Sequence, residues 1–212
     1  MNSYNLYYFY NSHHQILIDE YFLPSFKEYN KTGINLIGIN FEKSINKSLF
    51  GTESFKRLGA ERVSKIIDLI KNEEKDKQFI ISDVDIQFFG DVYETINEIA
   101  NKQYDVVFQK ENKNEGVNFG FILITSNESS LNYWEKVLSV LNDPTTDVRV
   151  FDQSIGNENL NMINYTTFDE SIWNWSQGDL KKHIKLHHAN CVSPVEDKIK
   201  QLDLVRKFIL NN

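Results

Sequence analysis

Apolar residues along this chain alternate between short runs and helical stripes. Residues 6–10 (LYYFY) read as a strand that ends in a polar corner at 11–14. Ile16, Leu17, Leu23 and Phe26 mark a helix that Pro24 is expected to kink or split. Residues 34–41 (INLIGINF) read as a buried strand. Over 53–74, Phe55, Leu58, Val63, Ile66, Ile67 and Ile70 share one stripe, as in an amphipathic helix. Residues 78–89 (QFIISDVDIQFF) form an apolar strand interrupted by two aspartates. A helix follows over 91–102 on Val92, Ile96 and Ile99. Residues 104–109 and 119–125 are strands joined by the loop KENKNEG. Leu131, Trp134, Leu138 and Leu141 mark a helix that stops before Pro144. The pattern then weakens to about residue 183, where only 162–168 reads as a short strand and the rest as loop. Residues 184–188 alternate as a strand. Ser193-Pro194-Val195-Glu196 has the form of a capping box ahead of a last helix through Ile199, Leu202, Val205 and Ile209. Strands alternating with helices predict an α/β layer fold, and the length of 212 residues predicts a single domain over 1–212.

Composition narrows the function. The net charge is −7, from 23 Lys+Arg against 30 Asp+Glu, which argues against nucleic acid or an anionic membrane as partner, since both require a clustered cationic face. Cys191 is the single cysteine, so an internal disulfide and a Cys-rich zinc site are excluded. Aromatic residues make up 13% of the chain, too many for a disordered polymer. MNSYNLYYFYNSHH has no cationic flank or small-residue cleavage site, and no run reaches the ~20 apolar residues needed to span a bilayer. A cytoplasmic protein with no membrane span is the expectation.

The chemistry concentrates at Asp83-Val84-Asp85. Side chains alternate along a strand, so both carboxylates point the same way, and at the end of a parallel strand that direction faces the ligand crevice of an α/β sheet. Two adjacent carboxylates repel unless a cation or a proton neutralises them. Mn²⁺ or Mg²⁺ suits such oxygen ligands and is commonly shared with substrate phosphates. The competing role for both aspartates is to cap a turn or the helix near Asp91.

QFIISDVDIQFF, VNFGFILITSNE, FDQS and LHHANC followed by a lysine occur in an order that resembles GT-A-fold glycosyltransferases using nucleotide sugars. The chain is most similar to the nucleotide-diphospho-sugar transferases of glycosyltransferase family 77, and more distantly to family 8, over about residues 4–200. The resemblance implies a GT-A fold, Rossmann-like, with a mixed central sheet flanked by helices. It implies a donor-nucleotide and metal half over about 1–125 and an acceptor-side half over about 126–212. It implies that Asp83 and Asp85 hold the divalent metal and the donor ribose, and that His188, in His188-Ala189-Asn190, completes the metal site. His187 should face the opposite way. Lys198, with Lys200 in reserve, would contact the diphosphate. Lys65, or Arg62 one turn earlier, would supply the basic residue on the helix before the acidic strand. Tyr10 and Asn11 would meet the nucleobase. Asn118 would bond the transferred sugar, Gly120 would let backbone approach the ligand, and Phe119 stands where the family usually has Thr. Asp152 and Gln153 would contact donor sugar and acceptor, although Asp152 is equally an N-cap candidate. Trp173 and Trp175 are candidates for an acceptor platform or for core. The implied reaction moves a hexose or pentose from a nucleoside diphosphate, UDP by family habit, to a hydroxyl of a glycan, protein or small-molecule acceptor, with retention.

Two alternatives stand beside this one. A haloacid-dehalogenase-like phosphatase would use Asp83 as nucleophile, but Gln87 stands where a Thr or Val is wanted and no second acidic pair follows. A nucleotide-sugar-binding protein without turnover would keep the fold alone.

Overall fold

The computed structural model describes residues 2–41, 51–112 and 116–211. Along the chain, β1 (Tyr4–Tyr10) leads into a helical run that includes α1 (Gln15–Leu17) and α2 (Leu23–Tyr29), followed by β2 (Ile34–Asn40), α3 (Glu53–Asn72), β3 (Gln78–Ser82), β4 (Ile86–Phe88) and α4 (Tyr93–Ala100). Then come β5 (Val106–Lys110), β6 (Val117–Thr125), α5 (Glu128–Leu141), α6 (Asp152–Glu158), β7 (Tyr165–Thr167), β8 (Ile172–Asn174), β9 (Leu186–His188) and α7 (Val195–Leu210).

Six strands form a mixed sheet in the order β2-β1-β3-β6-β5-β7. β1 runs parallel to β2 and β3, whereas β6 runs antiparallel to both β3 and β5. Strand alternation divides the core between the two faces of this sheet. Phe79 and Ile81 of β3, with Ile122 and Ile124 of β6, meet Val63, Ile66 and Ile70 of α3 and Trp134, Val137 and Leu141 of α5. Ile80, Phe121 and Leu123 face the other way, against Phe22, Phe26, Val92, Ile96 and Ala100. All nine residues of β6 are buried, so that strand carries apolar side chains on both faces. A second, three-stranded sheet, β4-β9-β8, adds Ile86, Phe88, Ile172 and Leu186 to the second core.

The structure departs from the sequence expectations in five places. β2, read as a buried strand, is the edge strand of the large sheet, and its residues are half-buried or exposed. Residues 78–89 are two strands in different sheets: the chain leaves the large sheet after Ser82, passes the two aspartates, and pairs with β9 from Ile86. Pro24 does not split its helix. The run stays continuous through a π turn at Ile18–Phe22, in which the Leu23 N–H reaches Ile18 O, and Pro24, which has no N–H to donate, follows this wider turn at the start of α2. Pro194, not Ser193, takes the N-cap position of α7, in extended geometry and without a side-chain cap. The stretch read mostly as loop holds α6 and β8, of seven and three residues, too short to leave a clear period, whereas β7 falls within the strand expected over 162–168. The loop between β5 and β6 includes 113–115, which lie outside the described residues. Among the described residues no helix is long and apolar enough to cross a membrane.

Candidate functional site

The site forms where the two sheets meet. β3 ends at Ser82, and the Asp83 N–H donates to Gly120 O of β6 at 2.8 Å. The Ala189 N–H, just past β9, donates to Asp85 O at 2.8 Å. These two bonds hold the Asp83–Asp85 segment between the sheets while buried Val84 packs inward. Both carboxylates therefore face the same way even though the strand has ended. Tyr8 pairs with Ser82 across β1 and β3, so Tyr10 and Asn11 come off the same edge of the sheet as Asp83. Tyr10 stacks on Tyr8 with ring centroids 5.7 Å apart, and Asn11 Oδ1 accepts the His13 N–H at 3.0 Å.

His188 completes a cluster whose ligand atoms all lie within 4.8 Å of one another. Its Nε2 is 3.4 Å from Asp85 Oδ1 and 3.7 Å from Asp83 Oδ2. Its Nδ1 faces Gln109 Oε1 at 3.0 Å, and Gln109 Nε2 is turned to Ile172 O at 3.4 Å. This fixes the amide orientation, so Nδ1–H donates to Gln109 and Nε2 is turned toward the carboxylates. Buried Gln109 thus sets the tautomer, as outer-shell partners of histidine ligands do. Gly120 makes the geometry possible: a Cβ there would lie 2.2 Å from His188 Cε1 and 2.3 Å from Nδ1. The donor set suits a divalent cation, since its separations approach the ~3 Å between neighbouring ligands of an ion bound at ~2.1 Å. Asp83, Asp85 and His188 are the residues that could hold one.

Two cations flank the acidic pair. Arg62, on α3, places NH2 3.2 Å from Asp83 Oδ1 and NH1 3.2 Å from Asp152 Oδ2, and also donates to Phe119 O. Lys65 lies about one turn further on, half-exposed and 3.6 Å from Asp68, so the structure puts Arg62 and not Lys65 beside the aspartates. Lys198 Nζ pairs with Asp85 Oδ2 and donates to Ala189 O at 3.1 Å. Lys200 instead pairs with Asp197 at the surface. Burial opposes ionisation of Asp85, but Lys198 and His188 more than reverse this and hold its carboxyl well below the usual range. Burial, reinforced by the charge of Asp85, raises Asp83 despite Arg62. The aspartates therefore titrate as an unequal pair, which is how two adjacent carboxylates behave.

Asn118, Asp152 and Gln153 gather on the other side of Arg62. Phe151, not Asp152, takes the N-cap position of α6; Asp152 is the first helical residue, with Oδ1 accepting the Gln153 N–H at 2.9 Å and Oδ2 paired with Arg62. Gln153 Oε1 accepts the Phe119 N–H at 3.2 Å, and Asn118 Oδ1 accepts the Gly120 N–H at 2.8 Å. The side chain of Phe119 turns into the core, stacked on Phe108 at 5.3 Å, and offers the site only backbone. His187 faces away from the carboxylates, as strand alternation requires, and lies 5.2 Å from the Trp173 ring. Burial lowers its pKa to about 3 and keeps it neutral. Trp173 is core, while Trp175 is 37% exposed and 6.1 Å from it.

Three residues near the site escaped sequence reasoning. Gln109 and Glu111 sit in and just after β5, where polar residues look like strand end and loop. His14 is held below the ordinary imidazole value by burial, with Asp85 pulling the other way, which places it within electrostatic reach of the aspartates. Its only sequence signal is its position just past β1.

The nucleotide-diphospho-sugar transferase family model matches residues 22–202. No curated protein matches the chain. Among solved structures, a glycosyltransferase involved in glycosylation of the major capsid of PBCV-1 aligns with a TM-score of 0.63 at 15% identity, over 96% of this chain and 100% of that one. The apo-form glycosyltransferase GlyE of Streptococcus pneumoniae TIGR4 aligns with a TM-score of 0.60 at 12% identity, over 99% of this chain but 64% of GlyE, so this chain spans less than two thirds of that protein. Apo mouse xyloside xylosyltransferase 1 aligns with a TM-score of 0.59 at 12% identity, over 91% of this chain and 99% of that one. Likeness at these identities is likeness of fold, and the family match supplies the activity class in place of the phosphatase alternative. The chain belongs to the nucleotide-diphospho-sugar transferase family and is a glycosyltransferase of GT-A fold.

Proposed function

We propose that this enzyme transfers a hexosyl or pentosyl group from a UDP-sugar to an acceptor hydroxyl, with retention, in a reaction that depends on Mn²⁺ or Mg²⁺. The observation that carries the metal dependence is the convergence of Asp83, Asp85 and His188. A divalent cation held by these three would act as a Lewis acid on the departing diphosphate. Lys198, released from Asp85, would pair with a diphosphate oxygen and add a second fixed positive charge. Arg62 keeps Asp83 and Asp152 in place from behind. Asn118 and Gln153 would orient the sugar, and with Asp152 they would set the approach of the acceptor. Tyr10 and Asn11 would take the base. The acceptor's proton would pass to an oxygen of the leaving phosphate, as the resemblance to retaining enzymes implies.

The test is release of nucleoside diphosphate from a panel of UDP-, GDP- and CMP-sugars, with Mn²⁺, Mg²⁺ or EDTA, for the wild type and Asp85→Asn. Turnover of a UDP-sugar that EDTA abolishes and Asp85→Asn lowers by ~10²-fold or more is expected, the scale for losing an electrostatic contact to developing charge. Turnover insensitive to both would overturn the metal-dependent reading.

A further inference from the structure

Asn118 and Gln153 come from different elements, β6 and α6, yet their amides meet at one carboxylate. Glu111 Oε2 accepts from Asn118 Nδ2 at 2.6 Å and from Gln153 Nε2 at 3.0 Å. The amide oxygens are bound by backbone: Asn118 Oδ1 by the Gly120 N–H and Gln153 Oε1 by the Phe119 N–H. A primary amide has one acceptor oxygen and two N–H donors. With the oxygen and one N–H of each amide committed, neither side chain can flip, and each retains one N–H whose direction is fixed.

The backbone explains how Glu111 reaches this position. The β5–β6 register jumps between Phe108, which pairs with Ile122, and Gln109, which pairs with Asn118, so residues 119–121 have no partner on β5. Irregularities of this kind re-aim side chains beside active sites. The Glu111 N–H donates to Gly116 O at 3.1 Å, and the Ser176 hydroxyl donates to Glu111 O. Both bonds use the backbone of Glu111, so its carboxylate is left to the two amides, with Ser176 Oγ 3.3 Å from Oε1.

We propose that Glu111 is the positioning residue for the donor sugar: by holding the Asn118 and Gln153 amides in one orientation, it aims their remaining N–H groups at acceptor oxygens of the sugar. This rests on the proposed donor site but makes a separate claim. Glu111 acts as a hydrogen-bond acceptor and not as a nucleophile or counter-charge, so an uncharged acceptor of the same shape replaces it. Glu111→Gln can offer its amide oxygen to both donors. Glu111→Ala offers nothing and leaves the two backbone bonds intact.

The first arm uses the ligand-free protein. ¹⁵N correlation spectra are recorded for the wild type, Glu111→Ala and Glu111→Gln, with the side-chain amides assigned from Asn118→Ser and Gln153→Met. Shifted, exchange-protected amide signals are expected in the wild type and Glu111→Gln, and averaged, unprotected signals in Glu111→Ala. Unchanged signals in Glu111→Ala would overturn the proposal, whatever the enzyme binds. The second arm measures affinity for UDP, and for the better binder of UDP-glucose and UDP-xylose, in Mn²⁺. Glu111→Ala should weaken the UDP-sugar about tenfold and UDP less than twofold, with Glu111→Gln within threefold of wild type for both. Equal loss of UDP and UDP-sugar would make Glu111 merely structural, and failure of Glu111→Gln to rescue would make its charge the active feature. Either result overturns the proposal while the metal-dependent reading stands. Failure of the wild type to bind either nucleotide would instead count against the donor reading.

Discussion

Gly120→Ala is the sharpest single perturbation of the site. The backbone at Gly120 is not in the left-handed region, so any effect comes from the added methyl group alone. Its Cβ would lie 2.2 Å from His188 Cε1, 2.3 Å from Nδ1 and 2.9 Å from Asn118 Oδ1, well inside contact distance. The imidazole must swing away, which breaks its 3.0 Å bond to Gln109 Oε1 and leaves a fully buried amide oxygen without its donor. Overpacking costs about 1–3 kcal/mol, and an orphaned buried acceptor costs about another 1–3. Each kcal/mol lowers the melting temperature of a chain this size by roughly 2–4 °C. Displacing a histidine ligand from its outer-shell partner weakens metal binding about 10- to 100-fold. Thermal denaturation and Mn²⁺ titration, in wild-type and His188→Ala backgrounds, check both effects. In the His188→Ala background the imidazole contacts are gone and only the 2.9 Å approach to Asn118 Oδ1 remains, so the added stability penalty of Gly120→Ala should be smaller by about 0.5–3 kcal/mol, the coupling expected of residues in contact. An equal penalty in both backgrounds, or wild-type Mn²⁺ affinity in Gly120→Ala, would refute the steric argument.

Arg62→Ala should destabilise the protein by about 3 kcal/mol, because it leaves the buried Asp152 carboxylate and the partly exposed Asp83 carboxylate without their shared partner. Arg62→Lys should recover only part of this, since a single ammonium cannot fork between them, and urea denaturation would rank the three proteins. Gly59→Ala, in the interior of α3, should stabilise by about 0.5–1 kcal/mol, because its Cβ would meet nothing closer than 3.8 Å; a lowered melting temperature would contradict this. Burial opposes the charge of Glu73, but Lys77, Tyr7 and Asn5 bond its carboxylate and bring its pKa below the ordinary value. Its folded value is the depressed one, so it stabilises above the unfolded carboxylate value and that contribution disappears as pH falls through the folded value. Glu73→Gln should therefore lose more stability at pH 7 than at pH 3, as read by denaturant midpoints at the two values.

The long elements could be read from the sequence because their periods are long. The twenty-residue α3 shows its stripe at Val63, Ile66, Ile67 and Ile70, and these side chains are the ones packed against the large sheet. Alternation likewise put His187 and His188 on opposite faces. What stayed hidden depends on contacts distant in sequence. Lys65 has the spacing that the resemblance asks for and Arg62 lies one turn earlier, and only the positions of Asp83 and Asp152 around the helix single out Arg62. Glu111 looks like a solvated loop charge until the β5–β6 irregularity brings Asn118 and Gln153 to it. Nothing local in QFIISDVDIQFF shows that its two halves join different sheets, because the break is imposed by the pairing of β4 with β9. Gly120 reads as a ligand-approach glycine, whereas its empty Cβ position is filled by His188.

The central claim is that Asp83, Asp85 and His188 form a divalent-cation centre that a nucleoside diphosphate shares. It is tested most directly by calorimetric titration of UDP into the wild type, Asp85→Asn and His188→Ala, each in Mn²⁺ and in EDTA. The account predicts wild-type binding that requires Mn²⁺ and falls at least tenfold in both variants, or about 1.4 kcal/mol. Equal UDP affinity in Mn²⁺ and EDTA, or undiminished binding by folded Asp85→Asn, would contradict it.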